Sequence, residues 1–387
     1  MRIYRLGVVF HLTQEEVVMT QRNTLMGWSF ILFVVFVISF VCPQQVSAEA
    51  GKEEVRVLAL LPLTGPCAPH GKYLLHGVEM FQEDFPDSNI SLSVQDSQSN
   101  PKTAMSILTQ EIARKRPSIV ISAMSHVSKP VIIKTDDENI FTFLVLSTSE
   151  RIIHGHSNVQ RIFPPTADNI GPIALYAREK FPSLSILCSN EEFGISNKEK
   201  LISLYSNEKN VVLQTIAYSP GEKDVRTLVL KAISDNPSAI YVAGFDSTYV
   251  GLLKTIRELG FGGAVLTDSG FCNPALQNAT GEAAEGIVFT GTEADLSNPR
   301  TPSAREFVER YKKQYGREAM HFTAVTYDTL ALIDHIARSG KPFSQETMKS
   351  LKSWQGIAFE THFLPEGECA IPLFTILYQG GKKVILE

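Results

Sequence analysis

Hydroxyl groups crowd two short stretches of this chain, Ser122-Ala123-Met124-Ser125-His126-Val127-Ser128 and Ser147-Thr148-Ser149. Each stands just past an apolar run of strand character, the place where open α/β sheets bind their ligands. Hydroxyls beside the unpaired N–H groups of a helix start suit a carboxylate, because the orphan donors and the helix dipole both favour negative charge. Ser125 and Thr148 are the candidates for that role; the same hydroxyls could instead cap helices, and the sequence leaves both readings open. Asp246 and Asp268 follow two later apolar runs. Either carboxylate could pair with a ligand ammonium, or cap the element that follows it, and Asp268, which precedes Ser269-Gly270, suits a cap well.

Other chemistry finds little support. GxGxxG after a strand, GxxxxGK[ST], GxSxG and HExxH are all missing. Gly260-Phe261-Gly262-Gly263 precedes a strand instead of opening a helix, so it is a turn and not a phosphate cradle. Beyond the first 48 residues there are four cysteines, Cys67, Cys188, Cys272 and Cys369, without CxxC spacing and too few for a disulfide framework. Three pairings are open. His154-Gly155-His156 has no cysteine or acidic neighbour and reads as a solvated loop. No catalytic residue, cofactor or metal is expected.

The elements that must position the hydroxyls come from a chain of 387 residues, 44% hydrophobic and 20% charged, which is enough apolar material for full cores. Residues 23–48 carry no charge, and 28–41 (WSFILFVVFVISFV) form an apolar run too short for a comfortable membrane span. Arg22 precedes it and Val46-Ser47-Ala48 follows, so residues 1–48 read as a secretory signal peptide, with Met19 a possible true start. An uncleaved anchor is the rival. Cys42 ends the apolar run, but Val41 stands where lipid attachment needs a small residue. The formal charge is -5 overall, and the basic footprint of a nucleic-acid binder is missing.

After the leader, short Val- and Ile-rich runs alternate with amphipathic stretches, the signature of repeated strand and helix units. Strands are expected at 55–62, 90–95, 118–122 and 140–146, with helices near 71–85, 101–112 and 127–137 between them. After Pro164-Pro165 the pattern repeats. Helices near 168–180, 195–205, 223–234 and 248–259 alternate with strands at 184–188, 211–217, 239–243 and 264–267. A strand at 286–290 precedes helices at 302–315, 322–338 and 345–352, and strand-like segments at 357–363, 370–378 and 382–386 close the chain. The fold class is therefore α/β, with two doubly wound lobes.

The sequence resembles the type I periplasmic substrate-binding proteins of the leucine/isoleucine/valine-binding family. Leu60-Leu61-Pro62-Leu63-Thr64-Gly65-Pro66 with Gly71 and Gly77 is similar to the family's opening signature, and Val94-Gln95-Asp96-Ser97-Gln98-Ser99-Asn100-Pro101 to its second strand and turn. Arg161-Ile162-Phe163-Pro164-Pro165 resembles the crossover into the second lobe. Gly281-Glu282-Ala283-Ala284-Glu285-Gly286, the helix around Tyr311-Lys312-Lys313-Gln314-Tyr315-Gly316, and Tyr327-Asp328 follow in the family's order. The resemblance implies two lobes joined by a three-crossover hinge, the N-terminal lobe from 52–165 and 291–355 and the C-terminal lobe from 166–290 and 356–387. It also implies a monomer in the periplasm that closes on an amino acid or related small carboxylate and meets the membrane permease of an ABC transporter. A sensory receptor of the same fold, acting on a separate signalling partner, is the alternative.

By the same resemblance Ser125 and Thr148 fall on the pair that holds a ligand carboxylate. Ala123 and Ser147 fall where backbone contacts are offered, and Phe193 where an aromatic of the second lobe covers the ligand. The departures concern specificity. Ser269 stands where branched-chain binders place an acid for the ammonium, with Asp268 one residue earlier, and His70 stands where a tyrosine is common. Asp246 or Asp268 is expected to take over the ammonium, unless the ligand has none. The carboxylate would dock on Ser125 and Thr148 before the second lobe closes with Phe193.

Overall fold

The computed structural model describes residues 54–292, 296, 299, 301–371 and 373–386; the expected leader, 1–48, lies outside them. Five strands form the first sheet: β1 (Val55–Leu61), β2 (Ile90–Asp96), β3 (Ile119–Ala123), β4 (Phe141–Val145) and β5 (Val159–Arg161), in the order β2-β1-β3-β4-β5 and parallel throughout. Parallel pairing demands a crossover between strands, here supplied by α1 (Ala68–Asp84), α2 (Pro101–Lys115) and α3 (Ser125–Asp137). Every residue of β3 and β4 is buried, which is why these strands read as unbroken apolar runs and not as alternation. The three-residue β5 is too short to show a pattern and was not expected.

Helix α4 (Thr166–Lys180) leads into a second sheet built from β6 (Ser183–Ser189), β7 (Val211–Tyr218), β8 (Ala239–Ala243), β9 (Ala264–Thr267) and β10 (Ile287–Gly291). Helices α5 (Glu192–Tyr205), α6 (Val225–Ile233) and α7 (Ser247–Glu258) make its crossovers, and a short α8 (Pro274–Thr280), also unforeseen, precedes β10. Its parallel part runs β7-β6-β8-β9-β10, the first sheet's order repeated. In both sheets the order reverses between the first and third strands, and outside the carboxyl ends at such a switch point open α/β sheets bind their ligands. The expected pair of doubly wound lobes is what the chain forms.

The chain then returns to the first lobe. Helix α9 (Pro302–Tyr315) is followed by α10 (His321–Ser339), which lies so close to α1 that a Cβ on Gly77 would sit 2.2 Å from the Thr323 carbonyl oxygen. After α11 (Gln345–Leu351) come β11 (Ser353–Gln355), β12 (Glu360–Phe363) and β13 (Cys369–Ala370), a separate antiparallel sheet. The strand expected at 357–363 is shorter because Asp328 of α10 accepts the Ile357 and Ala358 N–H groups at 2.7 and 3.2 Å, which pulls that backbone out of pairing. The one expected at 370–378 divides: β13 ends at Ala370, and β14 (Phe374–Gln379) with β15 (Lys382–Ile385) adds antiparallel to β10 in the second sheet.

Candidate ligand-binding site

Strands β3 and β4 end alike. Each is followed by a non-glycine residue at positive φ, Met124 at 71° and Leu146 at 48°. Such backbone costs on the order of 1–3 kcal/mol and persists where surrounding structure enforces it. Here it turns the chain sharply, so that Ser125 becomes the first residue of α3 and Ser147-Thr148-Ser149 folds back beside it. The Ser125 hydroxyl accepts the Thr148 and Ser149 N–H groups at 3.1 and 3.3 Å. Behind the loop the fully buried Arg161 donates to the carbonyls of both Ser147 and Ser149, the latter at 2.6 Å, and its Nε donates to Glu368 at 2.9 Å. Thr148 is thus held between two clamped neighbours. Its own hydroxyl is buried and has no hydrogen-bond partner.

Thr148 lines a cavity shared by both lobes. From the first lobe come His70, Met124, Ser125, Leu146, Thr148, Phe163 and Phe322; from the second come Phe193, Phe245, Ser269 and Gly270. Phe193 meets Phe245 edge-on at 5.2 Å, and His70 lies 6.4 Å from Phe245 and 5.1 Å from Phe322. Four phenylalanines with Met124 and Leu146 make the apolar part of the wall, and its polar residues, besides His70 and Ser269, are the hydroxyl pair near the α3 N-terminus, where the first N–H groups of a helix lack intrahelical acceptors. The side chains close until about 30 Å³ stays open, room for little more than a water. A broader groove lies behind the crossover, but Glu150, Arg151, Glu366 and Glu368 there pair with Lys200, Glu199, His154 and Arg161.

Of the residues singled out in the sequence, Ser125, Thr148, Phe193, Ser269 and His70 share this cavity. Ala123 and Ser147 are buried just behind it, Ala123 paired with Val145 and the Ser147 hydroxyl 3.5 Å from that of Ser125. The two aspartates do not take the expected place. Asp246 accepts the Tyr249 N–H at 3.0 Å and the Gly221 N–H at 3.2 Å, and Asp268 accepts those of Gly270 and Gly244 at 2.8 and 3.3 Å. Each caps the element that follows it and also accepts from a neighbouring loop, and neither lines the cavity. Burial pushes the Asp268 carboxyl up to about 7, the reverse of what an ammonium partner needs. Burial likewise pushes His70 down to about 4, so its imidazole is neutral.

Sequence reasoning missed Met124, Leu146, Phe163, Phe245, Phe322 and Gly270. Met124, Leu146, Phe245 and Gly270 adjoin residues already singled out, and the apolar character of the first three and of Phe163 hid them among core positions. Phe322 arrives from a helix about 170 residues beyond Thr148, and no local signal marks it.

Behind the cavity the lobes touch through polar groups. Glu192 of α5 accepts from Lys129 at 2.8 Å and from Ser149 at 2.9 Å. Beside it His126, stacked on Phe245, lies 3.4 Å from Glu191. Burial lowers the pKa of His126, and burial with the nearby Asp246 raises that of Glu191 to about 7. Both shifts favour the uncharged forms, so near neutrality this is a close contact more than an ion pair.

The chain matches the family described as periplasmic binding protein over residues 54–367. It is 22% identical to the Leu/Ile/Val-binding protein of Escherichia coli (strain K12) over 288 residues, 72% of this chain and 77% of that protein. Its fold is similar to that of a leucine binding protein, LivK, from Thermotoga maritima (TM-score 0.77, 21% identity, 86% of this chain and 98% of the other). A solute binding protein of an ABC transporter from R. palustris, solved in complex with benzoate, is similar to the same degree (TM-score 0.76, 18% identity, 86% and 95%). Two doubly wound lobes with repeated strand order and a family match spanning most of the chain lead to one conclusion: this protein belongs to the periplasmic binding protein family, a family of non-enzymatic ligand receptors.

Proposed function

We propose that the protein is an exported receptor that binds a small aromatic or apolar carboxylate without an ammonium group, and hands it to the membrane permease of an ABC importer. One observation carries this reading. The cavity keeps an unpartnered Thr148 hydroxyl beside Ser125 and the α3 N-terminus, while both candidate ammonium partners, Asp246 and Asp268, are engaged by backbone N–H groups. A carboxylate has donors there; an ammonium has no acid. The aromatic walls favour a planar apolar body, and the similar R. palustris protein was solved with benzoate.

In this reading the carboxylate docks on Ser125 and Thr148, and the second lobe then closes with Phe193 and Phe245, excluding water as hinge-closing proteins do. The lobes divide at 165/166 and just after β10, whose last residue Gly291 still pairs with Phe374 in the second sheet, one residue later than 290/291. The third division moves from 355/356 to about 371, because residues 356–370 are tied to the first lobe through Asp328 and Arg161. Residues 1–48 act as the signal peptide, and the mature protein works as a periplasmic monomer.

Calorimetric titration of the protein lacking residues 1–48 with benzoate, phenylalanine, leucine and benzylamine tests the reading. Binding of benzoate alone is expected. Binding of either amino acid with silence from benzoate would overturn it.

A further inference from the structure

His70 lies in the first turns of α1 and is 2% exposed. Its ring faces Phe322 and Phe245 across the cavity, and its Nδ1 is buried without a hydrogen-bond partner. The neighbouring His76, on the same helix, meets Tyr311 Oη through Nδ1 at 2.7 Å. A buried polar atom left unsatisfied carries a desolvation penalty and calls for an explanation. Two such atoms, His70 Nδ1 and Thr148 Oγ1, belong to residues that line one cavity from different elements of the first lobe. If Thr148 meets the carboxylate, a second polar point awaits the remainder of the ligand.

We propose that His70 is a specificity-determining residue that hydrogen-bonds a ring hydroxyl of the ligand, which makes the ligand class hydroxylated aromatic carboxylates. The proposal rests on the aromatic-carboxylate reading above. Burial keeps the imidazole uncharged at neutral pH, so it selects a neutral hydroxyl and offers no counter-charge to a second anion. Nδ1 accepts from the phenol when the ring proton sits on Nε2, and donates in the other tautomer. A site with a polar group placed for a hydroxyl rejects the analogue that lacks it, because the buried group is then left unpaired.

Affinities of benzoate and 4-hydroxybenzoate are measured by calorimetry on the wild-type protein and on His70→Leu, with the melting transition of each variant recorded alongside. The wild type is expected to prefer the hydroxy acid by about tenfold, a difference of about 1.4 kcal/mol. In His70→Leu the preference should vanish, the hydroxy acid losing its roughly tenfold advantage over benzoate whatever the change in the affinity common to both. A second readout needs no variant: the His70 ring nitrogen resonances of wild-type protein should shift with 4-hydroxybenzoate beyond any change caused by benzoate. Equal affinities in the wild type, an undiminished preference in His70→Leu, or ring nitrogens that respond alike to both acids would overturn the role of His70 and leave the aromatic-carboxylate reading standing. Binding of amino acids with neither benzoate bound would remove both.

Discussion

Ser149 Oγ donates to Glu192 Oε1 at 2.9 Å, joining the loop after β4 in the first lobe to the start of α5 in the second. The carboxylate also accepts from Lys129 at 2.8 Å, so one acid in α5 gathers the loop after β4 and helix α3. The Glu192 pKa is lowered, with the bonds to Lys129 and Ser149 outweighing burial. Both bonds run between the lobes, so in the proposed mechanism they favour the closed form. Glu192→Ala should weaken ligand affinity by about tenfold, in keeping with the 1.5–3 kcal/mol of a hydrogen bond to a charged group less partial solvation. Titration calorimetry checks this; an unchanged affinity would show that the contact does not favour the closed form.

Thr148→Ala should cost roughly 1.5–3 kcal/mol of binding, because it deletes a hydroxyl that bonds a charged ligand group. Thr148→Ser keeps that hydroxyl and should retain most of the affinity. Equal losses in both variants would point to packing of the methyl group in place of the hydrogen bond.

Arg161→Met should lower stability by about 3 kcal/mol or more, since removing one partner of a buried pair leaves the other groups uncompensated. The Ser147 and Ser149 carbonyls would lose their donor and Glu368 its partner. Chemical denaturation reads the loss. Binding should fall as well, because Thr148 sits between the two released carbonyls.

Asp246→Ala separates capping from ligand contact. It should destabilise the fold by about 1 kcal/mol through the lost cap on α7, and leave carboxylate affinity within about twofold once the protein is folded. A loss of binding much larger than the loss of stability would place Asp246 in the site after all.

The pH dependence of stability should carry the mark of Glu191. Its folded pKa, about 7, lies above its ordinary value of 4.5, with burial the main cause and Asp246 the second. Between those values the folded state binds a proton that the unfolded state has lost. Stability from this group is therefore complete below about 4.5 and declines as pH rises toward 7. Denaturant midpoints measured from pH 4.5 to 8 should fall less steeply in Glu191→Gln than in the wild type. Parallel curves would exclude the carboxyl as a source of the slope.

The sequence by itself determined the alternation of strands and helices, the return of that pattern after Pro164-Pro165, and the hydroxyls at the ends of β3 and β4. These are local properties, because apolar periodicity records which face of an element is buried and strand ends are marked by small polar residues. Ser125, Thr148 and Phe193 were legible on that basis together with the family resemblance. Only the tertiary structure decided that Asp246 and Asp268 turn to backbone N–H groups, that Arg161 clamps the Thr148 loop from behind, and that Phe163 and Phe322 complete the wall. An aspartate after a strand has the same sequence signature whether it caps or faces a ligand, and a cavity phenylalanine the same signature as a core one. The choice between them depends on which element packs across the cleft, and that is set by contacts between residues far apart in the chain.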